Sequence, residues 1–116
     1  MRVTIYYNPR CTKSRQALQL LRDRGVDPEV INYLHDPPSA QELGRILGLL
    51  GMAPRDLIRR KEKEYRAAGL DDPAVSDEAL VSAMVSNPIL MERPIVVTEK
   101  AAALGRPPEN VLTVLD

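Results

Sequence analysis

The order of the predicted elements indicates an α/β domain built on a four-stranded mixed sheet. Three observations predict it: a strand–helix–strand pattern at the start, a stretch of helical periodicity in the middle, and two short strands followed by a closing helix. The chain has 116 residues, a length that suits one domain with a real hydrophobic core. We therefore expect a single domain over residues 1–116, with a helical insertion at about 39–87 between the second and third strands.

The first part of the chain predicts a parallel strand pair. Residues 2–7, "RVTIYY", are rich in β-branched and aromatic side chains and indicate a strand. A helix follows from Cys11 and ends at Gly25. Its apolar positions share one face: Ala17, Leu18 and Leu21. "DPEVINYL" is a second strand, and a crossover of one helix favours right-handed parallel pairing.

The middle of the chain is helical. Ser39 and Glu42 form a capping box, and Gly51 ends the helix that they begin. Its apolar residues repeat with helical spacing: Leu43, Ile46, Leu47 and Leu50. "PRDLIRRKEKEYRAAGL" predicts one or two short, highly charged helical segments, and "SDEALVSAMV" predicts another helix.

The last part of the chain closes the sheet. "RPIVVTEKAAALG" predicts a strand, a tight turn and an edge strand. "RPPENVLTVL" predicts a helix whose prolines suit its first turn, with Val111, Leu112 and Leu115 facing inward. The resulting order, β-α-β, then helices, then β-β-α, matches a thioredoxin-like domain of the glutaredoxin type.

Composition excludes several classes of function. Sixteen basic and sixteen acidic residues balance, so we expect no bulk attraction to nucleic acid or to anionic membranes. No apolar run approaches the ~20 residues that cross a bilayer, and the first residues lack the pattern of a signal peptide. One cysteine excludes an internal disulfide and a cysteine-based zinc cluster. We expect a cytoplasmic protein.

The single cysteine has unusual neighbours. Cys11 is predicted at the carboxyl end of the first strand, where it opens the first helix and where α/β sheets bind ligands. Unpaired N–H groups of a first helical turn stabilise a thiolate or an oxyanion. Arg15 lies one turn along the same face, Arg10 and Lys13 add charge, and Ser14 can donate a hydrogen bond.

These neighbours predict an ionised thiol. A thiol with a pKa near ~8.5 is about 3% ionised at neutral pH, and lowering the pKa by ~2 makes most of it thiolate. The plain alternative is a buried, inert cysteine. Ser14 occupies the second position of a C-x-x-C pair, which disfavours a dithiol oxidoreductase, so a single-thiol enzyme needs an outside reductant.

The quoted segments resemble a known family. "TIYYNPRCTKSR" is similar to the opening of the glutaredoxin-coupled arsenate reductases, which reads as a strand followed by Asn-Pro-x-Cys-x-x-Ser-Arg. "LHDPPS", "DLIRRKEKEYRAAGL", "NPILMERPIVVT" and "LGRPPENVL" resemble later motifs in the same order. The resemblance covers essentially the whole chain.

The resemblance implies a set of site residues. Cys11 would be the nucleophile that attacks arsenate, and Arg59, Arg93 and Arg106 would bind the oxyanion. Guanidinium groups suit this role because they bind tetrahedral oxyanions bidentately and stay charged. Pro94 would be the cis-proline beside the active cysteine.

The resemblance also implies the reaction and its partners. The thiolate would attack arsenic and water would leave. Glutathione would then reduce As(V) to As(III) and leave a mixed disulfide that glutaredoxin resolves. The resemblance implies that the reaction needs no metal and no bound organic cofactor, and that glutathione is a cosubstrate.

One position departs from the family. Four residues around the thiol are predicted to be supporting residues: Tyr7, Asn8, Ser14 and Arg15. Members with established activity carry His four residues before the cysteine, where this sequence has Tyr7. A neutral phenol can donate a hydrogen bond but adds no charge, so we expect Arg10 and Lys13 to compensate in part.

Several candidates have plain structural alternatives. Arg59 lies in a charge run typical of a solvated face, Arg93 could form a surface salt bridge, and Arg106 could be a turn residue. His35, the only histidine, is too isolated for a base or a ligand, and Tyr65 is predicted to pack.

Two other functions stay open. The first is a glutathione-dependent thiol oxidoreductase that acts on a protein or glutathione mixed disulfide. The second is a thioredoxin-like regulator that binds RNA polymerase, which the missing C-x-x-C pair disfavours.

Overall fold

The computed structural model describes residues 2–116, so Met1, the first residue of the predicted domain, lies outside the described residues. The strands are β1 (Thr4–Tyr7), β2 (Glu29–Asn32), β3 (Ile95–Val97) and β4 (Ala102–Leu104). The helices are α1 (Thr12–Asp23), α2 (Ala40–Leu50), α3 (Pro54–Leu57), α4 (Lys63–Ala67) and α5 (Asp77–Ser86), with 3₁₀ helices at Pro88–Leu90 and Pro108–Leu115. The predicted elements therefore occur in the predicted order.

The four strands form one mixed sheet in the order β2-β1-β3-β4. β1 pairs with β2 in parallel, as the helical crossover predicts, and β3 pairs antiparallel with both β1 and β4. Ile5 of β1 stands opposite Val96 of β3, which stands opposite Ala103 of β4. These three residues form an apolar row across one face of the sheet.

The described chain divides into two compact units, which we call the sheet unit and the helical unit. The sheet unit comprises residues 2–36 and Arg93–Asp116, and the helical unit is Pro37–Glu92. The helical unit corresponds to the predicted insertion at 39–87, with slightly wider bounds. The single-domain interpretation stays a prediction.

The core of the sheet unit lies between the sheet, α1 and the C-terminal 3₁₀ helix. Its buried cluster consists of Val3, Ile5, Ala17, Leu18, Leu21, Val96, Ala103, Val111 and Val114. The predicted apolar face of α1 is confirmed, since its three residues all belong to this cluster. Gly25 follows the helix with φ +78°, a conformation that glycine adopts without a steric penalty.

The C-terminal helix corrects one prediction. It is 3₁₀ over Pro108–Leu115, and Val111 and Val114 are buried with 0% and 3% exposure. Leu112, predicted to face inward, is only half-buried and is not part of the core cluster, whereas Leu115 packs against it. A 3₁₀ helix has three residues per turn, so residues three apart share a face. Val114 is therefore buried beside Val111, whereas the predicted α-helical spacing placed Leu112 and Leu115 inward.

Helix α2 of the helical unit begins as predicted, although the capping box is only half formed. Ser39 Oγ accepts the backbone N–H of Glu42 at 3.1 Å, and Gly51 ends the helix with φ +66°. The Glu42 carboxylate pairs instead with Arg45 at 2.8 Å, which lowers the pKa of Glu42. The charged segment after α2 forms two short helices, α3 and α4.

Arg55 ties α3 to the chain around and beyond α4. Its Nη1 donates to the Tyr65 hydroxyl at 3.0 Å and to the carbonyl of Leu70 at 2.9 Å. Tyr65 is buried, in agreement with its predicted packing role. No helix among residues 2–116 is long and apolar enough to cross a bilayer.

Candidate active site

The loop between β1 and α1 positions Cys11. The Asn8 carbonyl accepts the Cys11 N–H at 2.9 Å, and Asn8 Oδ1 accepts the Arg10 N–H at 3.0 Å. Cys11 is the N-cap residue of α1 and is partly exposed. The cysteine therefore opens the first helix at the carboxyl end of β1, as the sequence predicts.

Ser14 forms hydrogen bonds with both the loop and the Cys11 sulfur. Its side chain is fully buried, and its Oγ accepts the backbone N–H of Asn8 at 3.2 Å. The backbone N–H and the hydroxyl of Ser14 both hydrogen-bond the Cys11 thiol. A hydroxyl has one proton and two lone pairs, so Ser14 can accept from the loop while it donates to sulfur.

Two arginines from the C-terminal segment of the sheet unit lie close to the Cys11 sulfur. The Arg93 side chain hydrogen-bonds the Cys11 thiol, and Arg106 Nη2 lies 3.9 Å from Cys11 Sγ. Arg106 Nε also donates to the Arg93 carbonyl at 2.9 Å. The peptide bond between Arg93 and Pro94 is cis, as the resemblance implies. The structure therefore brings Cys11, Arg93, Arg106 and Pro94 together.

The end of β4 packs tightly against the cis-proline. Gly105 donates its N–H to the Pro94 carbonyl at 2.8 Å, and a Cβ at position 105 would lie 2.5 Å from Pro94 Cγ. Only glycine fits at position 105 without a movement of Pro94. The next residue in the chain is Arg106. A second cis bond, between Arg106 and Pro107, was not predicted from the sequence.

The electrostatics of the thiol result from opposing effects. Burial raises the pKa of Cys11, but hydrogen bonds from Ser14 and Arg93, together with the Arg93 charge, lower it from 9.0 to about 7. About half of the thiol is then ionised at neutral pH. The predicted lowering is present. Two of its causes were predicted, namely a backbone N–H of the first helical turn and the Ser14 hydroxyl, whereas Arg10 and Lys13 are exposed and do not contribute.

Tyr7 and Arg15 flank the loop that contains Cys11 and differ in their exposure to solvent. Tyr7 ends β1 and packs, partly buried, against the core cluster of the sheet unit. Arg15 is exposed, and its Nη1 donates to the Pro9 carbonyl at 2.8 Å, which fastens the loop before the cysteine. The roles of both residues toward an anion stay predictions.

Arg59 lies in the helical unit, where two carboxylates hold it. Its Nε is 3.0 Å from Glu62 Oε1, and its Nη1 is 2.6 Å from Glu92 Oε1. Its role as an oxyanion ligand stays a prediction. Sequence reasoning missed both glutamates. Glu62 could have been found from its spacing of three residues after Arg59, whereas Glu92 is 33 residues away and has no local signal.

The remaining polar candidates do not form a metal site. Within residues 2–116, no group of three or more His, Cys, Asp or Glu residues could hold a metal ion. His35 is exposed in the turn after β2, where its backbone N–H donates to the Asn32 carbonyl at 3.1 Å.

Comparison with known proteins now decides the family. The sequence profile of the ArsC family matches residues 6–114, which include the cysteine and all three predicted arginines. The chain belongs to the ArsC family. Among curated relatives of this ArsC-family protein, the arsenate reductase of Neisseria meningitidis serogroup A is 46% identical over 114 residues and covers 97% of both chains. YfgD of Escherichia coli K12, an uncharacterized protein, is 53% identical over 114 residues, covering 97% of this chain and 96% of its own.

Solved structures confirm the fold of this ArsC-family protein. The arsenate reductase from Vibrio cholerae superposes with a TM-score of 0.94 at 48% identity, covering 98% of each chain. The predicted family and the thioredoxin-like fold are therefore both confirmed.

Proposed function

We propose that this ArsC-family protein is an oxidoreductase that reduces arsenate to arsenite, with Cys11 as its nucleophile. One observation carries the proposal: a partly exposed thiol at a helix N-terminus, with a pKa lowered to about 7, faces the guanidinium groups of Arg93 and Arg106. A thiolate beside two fixed cations suits attack on a tetrahedral oxyanion. Relatives named arsenate reductase support the choice of substrate.

Arsenate binding would rely on guanidinium groups. Arg93 and Arg106 carry planar guanidinium groups, whose N–H donors match the oxygens of an oxyanion. The Arg93 carbonyl fixes Arg106 at 2.9 Å, so this guanidinium is oriented before substrate arrives. Arg59 completes the proposed set of three arginines on the strength of the family resemblance.

The proposed reaction has three steps. The Cys11 thiolate attacks arsenic, an S–As bond forms, and one As–O bond breaks to release water after protonation. The thiolate of glutathione then attacks the Cys11 sulfur, and the electron pair of the S–As bond passes to arsenic. As(V) thereby becomes As(III), while the two sulfurs are oxidised to a mixed disulfide. A glutaredoxin thiol attacks this disulfide and returns Cys11 to its reduced form.

The proposed cycle uses no bound metal or organic cofactor, because glutathione supplies the electrons as a cosubstrate. We place the reaction in the cytoplasm, where glutathione keeps thiols reduced. The proposed partners are therefore an oxyanion, glutathione and glutaredoxin.

A coupled assay tests this function. Arsenate is added to the protein with glutathione, glutaredoxin, glutathione reductase and NADPH, and NADPH consumption is followed. We expect arsenate-dependent turnover that Cys11→Ser abolishes and that Arg93→Ala weakens, mainly through a higher KM. Undiminished turnover in Cys11→Ser, or no turnover with the wild-type protein, would refute the proposal.

The setting of the thiol supports a second candidate, a glutathione-dependent reductase of mixed disulfides. Tyr7 adds no charge to the site, and Arg59 is already held by two carboxylates, so the charge available to an oxyanion is lower than the arginine count suggests. The same assay separates the two candidates when a glutathione mixed disulfide replaces arsenate. Turnover with the disulfide alone would favour this second function.

A further inference from the structure

Two basic side chains beside Cys11 have no role in the reaction above. We call Arg10 and Lys13 the basic rim. Both are exposed, and neither contributes to the lowered pKa of the thiol. The sulfur is hydrogen-bonded by Ser14 and Arg93 instead, so the state of the thiol does not explain the basic rim.

The backbone that carries the basic rim is fixed by hydrogen bonds. The Asn8 carbonyl accepts the Cys11 N–H at 2.9 Å, and Asn8 Oδ1 accepts the Arg10 N–H at 3.0 Å. Lys13 is the second residue of α1. Arg10 therefore directly precedes the cysteine and Lys13 follows it by two positions, so both side chains extend from ordered backbone next to Cys11.

The basic rim is a local excess of positive charge. Residues 2–22 contain no Asp or Glu, and the first acidic residue of the chain is Asp23. Within residues 2–116, neither Arg10 nor Lys13 forms a salt bridge. The whole chain has equal numbers of basic and acidic residues, so this excess belongs to the surface around the cysteine rather than to the protein as a whole.

Helix stability does not explain Lys13 either. The N-terminal end of a helix is the positive end of its dipole, so a cation in the first turn is unfavourable. The first turn of α1 has no acidic residue that would offset Lys13. A basic side chain at this position therefore suits the binding of an anion better than the stability of the helix.

The thiol of the proposed cycle has the chemistry that the basic rim fits. Glutathione carries a carboxylate at each end and its thiol in the middle, so its carboxylates lie several bonds away from its sulfur. Cations that bind these carboxylates should stand beside the reacting cysteine without contacting its sulfur. Arg10 and Lys13 meet this condition, since they neighbour Cys11 in the chain and do not act on its thiol.

We propose that Arg10 and Lys13 dock the carboxylates of glutathione and thereby bring its thiol to the Cys11 sulfur. An arginine binds a carboxylate through two N–H groups, and a lysine offers a compact charge. Charges at the edge of a binding site act mainly on the rate of encounter. The inference rests on the proposed function in one respect, namely that glutathione is the thiol that reacts at Cys11.

Thiol–disulfide exchange tests the docking without arsenate. The Cys11 thiolate attacks one sulfur of glutathione disulfide, an S–S bond to Cys11 forms, and the bond between the two glutathione sulfurs breaks to release a glutathione thiolate. The product is the mixed disulfide of the proposed cycle. Bis(2-hydroxyethyl) disulfide undergoes the same exchange without charge and is the neutral reference. The chain has one cysteine, so mass spectrometry follows both rates at a single site.

Glutamine variants remove the charge of the basic rim and keep a polar side chain. Arg10→Gln and Lys13→Gln should each lower the rate with glutathione disulfide by about threefold, and the double variant by about tenfold, because fewer cations attract the carboxylates. The rate with the neutral disulfide should not change.

Arg22→Gln is the matched control for these variants. Arg22 is an exposed basic residue in the last turn of α1. It lies about 13 Å from Lys13 along the helix axis, which exceeds the Debye length of about 8 Å at physiological salt. Both exchange rates of Arg22→Gln should equal those of the wild type.

The outcomes separate the docking from the proposed function. An unchanged rate with glutathione disulfide in the double variant would overturn the docking, and arsenate turnover would be unaffected by that result. Equal losses with both disulfides would also overturn it, because the cations would then act on the thiol itself. No arsenate turnover by the wild type, together with charge-dependent exchange, would refute arsenate reduction and still support the docking.

The coupled assay, run with excess glutaredoxin, tests the same residues during turnover. The double variant should have a higher KM for glutathione and an unchanged KM for arsenate. A higher KM for arsenate alone would assign the basic rim to the oxyanion and overturn the docking of glutathione.

Discussion

At the scale of single residues, the state of Cys11 is a balance between burial and donors. Burial alone would keep the thiol protonated, but two groups of Ser14 and the Arg93 guanidinium lower its pKa to about 7. A cysteine at a helix N-terminus, with a serine hydroxyl nearby, predicts the direction of this shift. The identity of the donors depends on Ser14 turning inward from the helix, where it is fully buried.

The pH dependence of alkylation tests this balance. The iodoacetamide rate should rise with pH through a midpoint of about 7 in the wild-type protein. Ser14→Ala removes the hydroxyl donor and should move the midpoint upward. Lys13→Ala is the control because its side chain is exposed and does not contribute, so its midpoint should not move. Equal shifts in both variants would contradict the assignment of the donor.

The same pKa predicts how stability varies with pH. The thiol pKa is lowered from 9.0 to about 7 on folding, so the unfolded chain binds more protons between these values. The thiolate therefore stabilises the fold above about pH 9, and this contribution is lost as pH falls through 7. Urea unfolding of the wild type and of Cys11→Ser should show a stability difference that grows in favour of the wild type from pH 7 to 9. A difference that is constant over this range would refute the lowered pKa.

At the scale of elements, the C-terminal helix shows where periodicity misleads. Several spacings fit a short apolar segment such as "NVLTVL", and the α-helical one places Leu112 inward. The structure has the 3₁₀ form, and Val111 and Val114 pack against α1 and the sheet. Local propensity cannot separate these forms, because packing against the sheet decides which residue is buried.

Two alanine variants distinguish the 3₁₀ helix from an α-helix. Val114→Ala should lower the free energy of unfolding by about 2 kcal/mol, since two buried carbon atoms are lost from the core. Leu112→Ala removes more atoms but should cost less, because Leu112 is half-buried and lies outside the core cluster. Urea denaturation followed by circular dichroism measures both values. A larger loss for Leu112→Ala would support the α-helical interpretation.

At the scale of the whole molecule, the insertion of a helical unit into a sheet unit is the main architectural feature. The sheet unit is discontinuous in sequence, since residues 2–36 are completed by Arg93–Asp116. Each unit has its own fully buried leucines, for example Leu21 in the sheet unit and Leu80 in the helical unit. The sequence predicts that the chain nevertheless behaves as one domain.

Core substitutions in the two units test the single-domain prediction. Leu21→Ala and Leu80→Ala should each reduce the free energy of unfolding by about 2–5 kcal/mol. In a single domain, either change lowers the midpoint of one cooperative urea transition. Two transitions, each sensitive to only one of the variants, would contradict the prediction.

The sequence by itself determined the class of the fold, the order of its elements and the position of the thiol at the start of α1. These features depend on local patterns, such as β-branched runs, helical periodicity and caps, that act over a few residues. Arg93, Arg106 and Pro94 were identified by resemblance rather than by pattern.

Only the tertiary structure decided which groups surround the sulfur and what holds Arg59. Ser14 reaches Cys11 by turning into the core, Arg106 comes from 95 residues away, and Glu92 meets Arg59 across 33 residues. Contacts at such separations arise from strand pairing and core packing, and no local pattern encodes them. The hydrogen-bond partners of these arginines are therefore a property of the folded chain.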